Sequence, residues 1–341
     1  MKAALFYEAN DMRIEDIPMP KVGADDVLIK VHACGICGTD VHIFSGDEGC
    51  FPTPRGTALG HEFAGEVVEV GANVTSLKVG DRACVDPNWL CNRCSYCLEG
   101  IGHFCENMTG IGTSINGGFE EYCVVPYWQA YKFSDTLPYE AAAMAEPVSC
   151  CLHGIDLCGI KPGATVAVIG CGMIGLLMLQ LAKLSGAAKI IAIEPVESKR
   201  QQAINLGADL TFNPIGCDLD AEIKKAGIKR IDTVIECVGK TATIEQAIQI
   251  AGNYSTVMMF GLTAPNDTIT VKPFEIFKKE ITLKSSFINP YTLTRALALI
   301  ESGKIDVTSM IYEIAPLEDL PEILANPDRR REGKVVIDCT K

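Results

Sequence analysis

Four cysteines stand at C-x2-C-x2-C-x7-C spacing: Cys91, Cys94, Cys97 and Cys105. Thiolates this close along a chain can enclose a zinc ion with no position left vacant, the ligand set of a structural site. An iron–sulfur cluster uses the same residue type, and four unrelated buried cysteines are the plain alternative. A second, mixed set lies upstream. Cys37 falls in A-C-G-I-C-G-T-D-V-H, which also holds Thr39, Asp40 and His42, and Gly60-His61-Glu62 precedes a strand-like run. One thiolate, one imidazole and one carboxylate from loops of one domain read as a three-ligand metal site with a position open for water or substrate. Cys34 and Cys37 also form C-x-x-C, the spacing of a redox pair, although such pairs sit beside a strand–helix–strand unit and this one does not. Glu146, in Met144-Ala145-Glu146-Pro147, is an acid among small apolar residues and needs a partner. It is a further metal ligand, a carboxylate holding water at the metal, or an acid in the first turn of a helix.

A third motif suits a dinucleotide. Val166 to Gly175 reads V-A-V-I-G-C-G-M-I-G, with Gly170, Gly172 and Gly175 in G-x-G-x-x-G after a strand and opening a helix. The glycines permit a tight turn and close approach of a pyrophosphate to the helix N-terminus. Glu194 follows at the end of the next strand, where a carboxylate accepts from ribose hydroxyls and repels a 2′-phosphate. NAD is therefore expected over NADP, with Lys199 and Arg200 the basic residues that argue the other way.

These motifs need two kinds of scaffold. Residues 1–150 read as short strands and loops, such as Val27–Val31, Glu66–Val70 and Arg82–Val85, with no sustained helical period. From Thr165 apolar runs alternate with helical segments. The strands are Thr165–Ile169, Lys189–Ile193, Thr233–Cys237, Thr256–Phe260 and Thr282–Ser286. The helices are Met173–Ser185, Glu197–Leu206, Asp218–Lys225 and Thr241–Ala251. Such alternation implies a parallel, doubly wound sheet. The remaining tail has one helix, Leu293–Ser302, and a last strand, Lys334–Asp338. It is too short to fold alone and is expected to pack on the first domain. The domains are thus 1–150 with 287–341, carrying a lobe at about 88–108, and 151–286. The run Thr256–Phe260, if it were the sheet's edge, could pair across a two-fold axis.

Length and composition bound the rest. A chain of 341 residues, 48% hydrophobic and 21% charged, can bury two cores. A net charge of −13 argues against nucleic acid, which is gripped mostly by Lys and Arg. Residues 162–182 carry no charge over a length that could cross a bilayer, yet they contain the glycine motif and read as a buried strand and helix. The start, Met1 to Glu8, is too brief in its apolar part for a signal peptide, so a cytoplasmic protein without membrane contact is expected. Cys84, Cys123, Cys150, Cys151, Cys158, Cys171, Cys217, Cys237 and Cys339 fit no ligand spacing and read as small core residues.

In this order, G-I-C-G-T-D-V-H, G-H-E, the four-cysteine lobe, A-E-P and the glycine fingerprint resemble the zinc-dependent medium-chain alcohol dehydrogenases over essentially the whole chain. The nearest branch looks like the polyol and sorbitol dehydrogenases, with threonine and sugar-alcohol-phosphate dehydrogenases nearby. The resemblance implies an α/β protein: a GroES-like β-rich catalytic domain plus a Rossmann domain, with the active cleft between them. It implies one structural zinc and one catalytic zinc per chain. The catalytic ion would be bound by Cys37, His61 and Glu62, with Glu146 as an alternate ligand. It places Thr39 beside the substrate oxygen, His42 at the outer end of a proton relay and Asp40 behind the ligands. Ile174, Glu194, Lys199, Phe260, Gly261, Leu262, Ser286, Phe287 and Ile288 would line the NAD site. The implied reaction is hydride transfer from a secondary alcohol to NAD, in a homo-oligomer, tetramer or dimer. Two positions depart from sorbitol dehydrogenases: Ile43 stands where they carry a substrate-contacting Tyr, and Ile288 where they carry an Arg. Two other readings compete. A relative of the same fold without catalytic zinc would hold one zinc or none. A non-catalytic NAD-binding protein would bind cofactor without turnover.

Overall fold

A computed structural model describes residues 1–47 and 52–341. The chain divides into two compact units, Met1–Ser149 with Asn289–Lys341, and Cys150–Ile288.

The first unit is built on a sheet whose neighbours run Ala130–Lys132, Arg82–Val85, Glu62–Val70, Asp26–Gly35, Lys334–Asp338 and Ile311–Pro316, with Tyr122–Pro126 also paired to Asp26–Gly35. The tail strand Lys334–Asp338 is antiparallel to Asp26–Gly35, with Val336 opposite Gly35. Glu62 is opposite Gly35 on the other side. Ile29, Leu59, Phe63 and Phe119 are fully buried in this unit's core. Each such side chain contributes roughly 1.5–3 kcal/mol relative to exposure. Among the described residues four α-helices break the strand-and-loop pattern expected here: Gly38–Phe44, Ser95–Leu98, Tyr139–Ala143 and Ala145–Cys158, the last crossing into the second unit. They were missed because the first three are short and the fourth has a buried, largely apolar first half with no polar face to set a period.

The second unit is a six-stranded parallel sheet. Its strands stand in the order Leu210–Phe212, Lys189–Ile193, Thr165–Ile169, Thr233–Glu236, Thr256–Met259, Thr282–Ser285, the 3-2-1-4-5-6 order of a doubly wound dinucleotide fold. The three central strands are almost wholly buried and apolar between their ends, as strands covered on both faces must be. Leu210–Phe212 and the helix Pro273–Lys279 were not foreseen; the first has three residues, too few to show alternation. Thr256–Met259 is interior, correcting the expectation that it could be the edge. The edge on that side is Thr282–Ser285, carried one strand further out by the unforeseen helix, and Leu210–Phe212 is the other edge. The uncharged run at 162–182 is the strand Thr165–Ile169 and the helix Met173–Leu184. Among the described residues no helix is long and apolar enough to cross a membrane.

Candidate metal centres and cofactor loop

Cys37 caps the helix Gly38–Phe44, and His61 and Glu62 enter the strand Glu62–Val70 after a turn at Gly60. Their ligand atoms lie within 4.8 Å of one another. His61 and Glu62 are buried and Cys37 partly so. Asp40, with no exposed surface, ties the set together. Its Oδ2 accepts the Cys37 N–H at 2.8 Å, its Oδ1 accepts the Gly60 N–H at 3.3 Å, and Oδ1 lies 3.5 Å from His61 Nδ1. A carboxylate behind one ring nitrogen orients the imidazole and presents the other nitrogen to an ion. Burial opposes charge on His61, but the Asp40 carboxylate and Cys37 outweigh it and hold its pKa well above the usual value. Glu62 Oε1 is buried and accepts no hydrogen bond from the described residues. An orphaned buried carboxylate oxygen beside a thiol and an imidazole is the donor set of a divalent cation, and zinc fits it.

The remaining positions fall on either side of this cluster. Cys34 sits in the core with its thiol pushed well up by burial, and it is outside the ligand set, which argues against a reactive redox pair with Cys37. Glu146 is buried in the first turn of Ala145–Cys158 but is not among the clustered ligands. Thr39 Oγ1 lies 3.7 Å from Cys37 Sγ. His42, on the same helix, is exposed, and its Nδ1 is 3.0 Å from Asp47 Oδ2. Ile43 is in the core at 3% exposure, so this residue packs inward. Sequence reasoning missed Lys334. Its ammonium is buried against Glu62 Oε2 and donates to Ile36 O at 2.8 Å. Burial opposes its charge, and the Glu62 carboxylate more than offsets that.

In the lobe, Cys91, Cys94, Cys97 and Cys105 also bring their sulfurs within 4.8 Å of one another, with Cys94–Cys97 at 3.5 Å and Cys91–Cys97 at 4.0 Å. A tetrahedron of Zn–S bonds of ~2.3 Å sets its sulfurs about 3.8 Å apart. An iron–sulfur cluster, with several irons between its thiolates, spreads them further, so one zinc ion fits better. Backbone N–H groups of Arg93 and Cys94 hold the Cys91 thiol down, while burial and the neighbouring sulfurs push Cys97 up. Four crowded thiols cannot all ionise until a cation joins them.

The glycine loop follows the central strand of the second unit. Gly170 has φ +89°, and a Cβ on Gly175 would overlap Gly170 O, so both must be glycine for the turn itself. A Cβ on Gly172 would meet nothing within 4 Å. Glycine there is not required by the protein's own packing, and the open space at the helix N-terminus fits a pyrophosphate. Glu194 directly follows its strand, at 7% exposure, and accepts the Cys171 N–H at 2.9 Å and the Val196 N–H at 3.0 Å. Arg200 is engaged elsewhere. Its guanidinium donates to Glu194 O and Pro195 O, both at 2.7 Å, and pairs with Glu197. Ile174 lies in the first turn after the loop, and Lys199 on the helix Glu197–Asn205. Phe260, Gly261 and Leu262 follow the carboxyl end of Thr256–Met259; Ser286, Phe287 and Ile288 follow that of Thr282–Ser285. Ile288 holds φ +45°, a strained conformation for a β-branched residue. Glu236, also unforeseen, is fully buried and receives Val238 N–H, Gly239 N–H and Thr243 Oγ1 on one oxygen, fixing the loop after the fourth strand.

Comparison with known proteins agrees with this geometry. Residues 23–135 match the family model of the alcohol dehydrogenase GroES-like domain, and residues 174–302 match that of the zinc-binding dehydrogenases. D-arabinitol dehydrogenase 1 of Uromyces fabae is 32% identical over 98% of this chain and 96% of its own. The chain belongs to the zinc-type medium-chain alcohol dehydrogenases. This family member is also 35% identical to L-threonine 3-dehydrogenase of Caldanaerobacter subterraneus, over 94% of this chain and 93% of the relative. A solved zinc-binding dehydrogenase from Sinorhizobium meliloti, bound to NADP, is 38% identical. Its TM-score is 0.95, and the match covers 99% of this chain and 98% of that one. The dehydrogenase is accordingly a zinc-dependent oxidoreductase using a nicotinamide cofactor.

Proposed function

We propose that this dehydrogenase oxidises a secondary alcohol of the polyol or sugar-alcohol class, free or phosphorylated, to the ketone with NAD. The observation that carries the reading is the juxtaposition of Cys37, His61 and Glu62 with an unpartnered Glu62 Oε1. The likeness to an arabinitol dehydrogenase supports the polyol class. The likeness to a threonine dehydrogenase supports, as a second reading, an amino alcohol bearing the same secondary hydroxyl.

Zinc held by Cys37, His61 and Glu62 supplies Lewis acidity toward an alcohol oxygen, and NAD supplies the hydride acceptor; the products are ketone, NADH and a proton. Asp40 holds Cys37 and His61 in place through its contacts to both. Thr39, the hydroxyl beside Cys37, would accept the alcohol proton while passing its own on by way of the cofactor ribose to His42, which is exposed, braced by Asp47, and releases it to solvent; a water at the metal is the alternative first step. Gly172 leaves room for the pyrophosphate, and Glu194 accepts from the ribose hydroxyls. The engagement of Arg200 with Glu197 and two carbonyls supports NAD over NADP, since that guanidinium is already committed. Phe260 to Leu262 and Ser286 to Ile288, beyond two strand ends, line the rest of the cofactor site.

The protein is proposed to act in the cytoplasm as a homo-oligomer. Pairing through the edge strand Thr282–Ser285 is supported by its unpaired backbone and by exposed Leu283, Phe274 and Phe277 beside it. Light scattering at micromolar concentration should show more than a monomer, and Leu283→Lys should shift it toward one.

The deciding experiment is a panel of polyols, sugar-alcohol phosphates, threonine and simple secondary alcohols, assayed with NAD and with NADP. Metal analysis of the same protein should find two zincs per chain. Turnover on none of these alcohols by a protein carrying both ions would overturn the reading.

A further inference from the structure

We propose that Lys334 is a positioning residue of the mixed-ligand site: it takes up one oxygen of Glu62 so that only the other is offered to the ion. The inference rests on reading Cys37, His61 and Glu62 as the metal set.

Three adjacent strands create the arrangement. Glu62 opens one, Gly35 closes the middle one, and Lys334 opens the third. Glu62 and Val336 pair with Gly35 from opposite sides. The Lys334 stem reaches Glu62 across the backbone at Gly35, and only glycine leaves room for it. A Cβ there would overlap Glu62 Oε2 and stand 2.7 Å from Lys334 Cε and 3.1 Å from Nζ. The two side chains are 2% and 1% exposed. The ammonium donates to Glu62 Oε2 and to Ile36 O. Glu62 Oε1 is left buried and without a hydrogen bond from the described residues. The two carboxylate oxygens thus have different partners: one is held by Lys334, the other is free for an ion shared with Cys37 and His61.

Charge points the same way. Asp40, Glu62 and a Cys37 thiolate bring three negative charges into a largely buried space; a divalent ion and Lys334 together bring three positive ones. Without the ammonium, Glu62 can turn both oxygens to the ion and donate more negative charge, which makes the ion a weaker Lewis acid and crowds the open position. Lys334 therefore acts on the reaction through Glu62.

The test uses holoenzyme with cobalt exchanged into the mixed site and zinc kept in the lobe, two ions per chain being confirmed by elemental analysis. Wild type and Lys334→Arg, which keeps the cation, should share one visible spectrum. Lys334→Met should change it, with the absorption falling by about half as ligation departs from four-coordinate. Its kcat should fall about 10- to 100-fold, with a smaller change in KM. Lys334→Gln, which can still donate to Ile36 O, covers the case in which the methionine variant does not fold, and should show the same spectral change. Folded neutral variants with the wild-type spectrum and kcat would overturn the proposal, even with a lowered melting temperature, because Lys334 would then only support the sheet. A wild-type protein that takes metal in the lobe alone would instead overturn the metal reading beneath it.

Discussion

Glu194 is fastened to the loop it serves: its Oε2 accepts the backbone N–H of Cys171, between the first two glycines of the fingerprint, at 2.9 Å. The carboxylate proposed to select the ribose also holds the turn proposed to receive the pyrophosphate. Glu194→Ser should therefore do two things. It should lower NAD affinity and narrow the gap to NADP, because the charge that repels a 2′-phosphate is gone. It should also weaken both cofactors together, because Cys171 N–H loses its acceptor. Titration of each cofactor by quenching of protein fluorescence separates the effects. A wild-type kcat/KM higher with NADP than with NAD would refute the assignment of Glu194.

A pH dependence follows from Glu120. This side chain is 2% exposed, and its Oε2 accepts from Asn116 Nδ2 at 3.1 Å. Burial raises its pKa from 4.5 to about 8, with the Cys123 and Asn116 hydrogen bonds pulling weakly the other way. A carboxyl whose pKa is higher folded than unfolded favours the folded state when protonated. That stability is full below the unfolded value and is lost as pH rises through about 8. The melting temperature should fall between pH 6 and pH 9, by an amount on the order of a few kcal/mol of stability. Glu120→Gln should flatten that slope and be the more stable protein at pH 9. Calorimetric scans of both across the range check it, and parallel slopes would count against the assignment.

How much of this was legible beforehand depended on distance along the chain. The four lobe cysteines and the Cys37, His61, Glu62 set sit in short motifs whose residue types already name the chemistry. The parallel strands announced themselves because burial on both faces demands continuous apolar runs. Lys334 was invisible for the opposite reason. It lies 272 residues from Glu62, and a lysine at a strand start reads as solvent-facing until the sheet order is known. The edge strand was misplaced for a related reason. Thr256–Met259 and Thr282–Ser285 were both readable as strands, but which is outermost depends on where the helix Pro273–Lys279 returns the chain. Ile43 shows the limit of reading by position: a residue expected from its place in the motif to bear on the substrate is packed into the core.

The two metal centres should come apart under mutation. The lobe offers four thiolates to one ion and has little else inside it, so ion binding there is coupled to folding. Cys97→Ser should reduce melting temperature or soluble yield, and activity should fall only as structure is lost. The mixed set lies beside a core of large buried side chains, Leu59 and Phe63 among them, so the fold there does not depend on the ion. Cys37→Ser should abolish turnover while leaving a folded protein that still binds NAD, because the glycine loop belongs to the other unit. The difference lies in the donors: four thiolates neutralise and enclose zinc, while one thiolate, one imidazole and one carboxylate leave it electrophilic. Activity, melting curves and cofactor binding measured on the two variants side by side decide the matter. Substantial activity in Cys37→Ser, or activity lost in Cys97→Ser with an unchanged melting curve, would mean that the structural and catalytic roles have been assigned to the wrong sites.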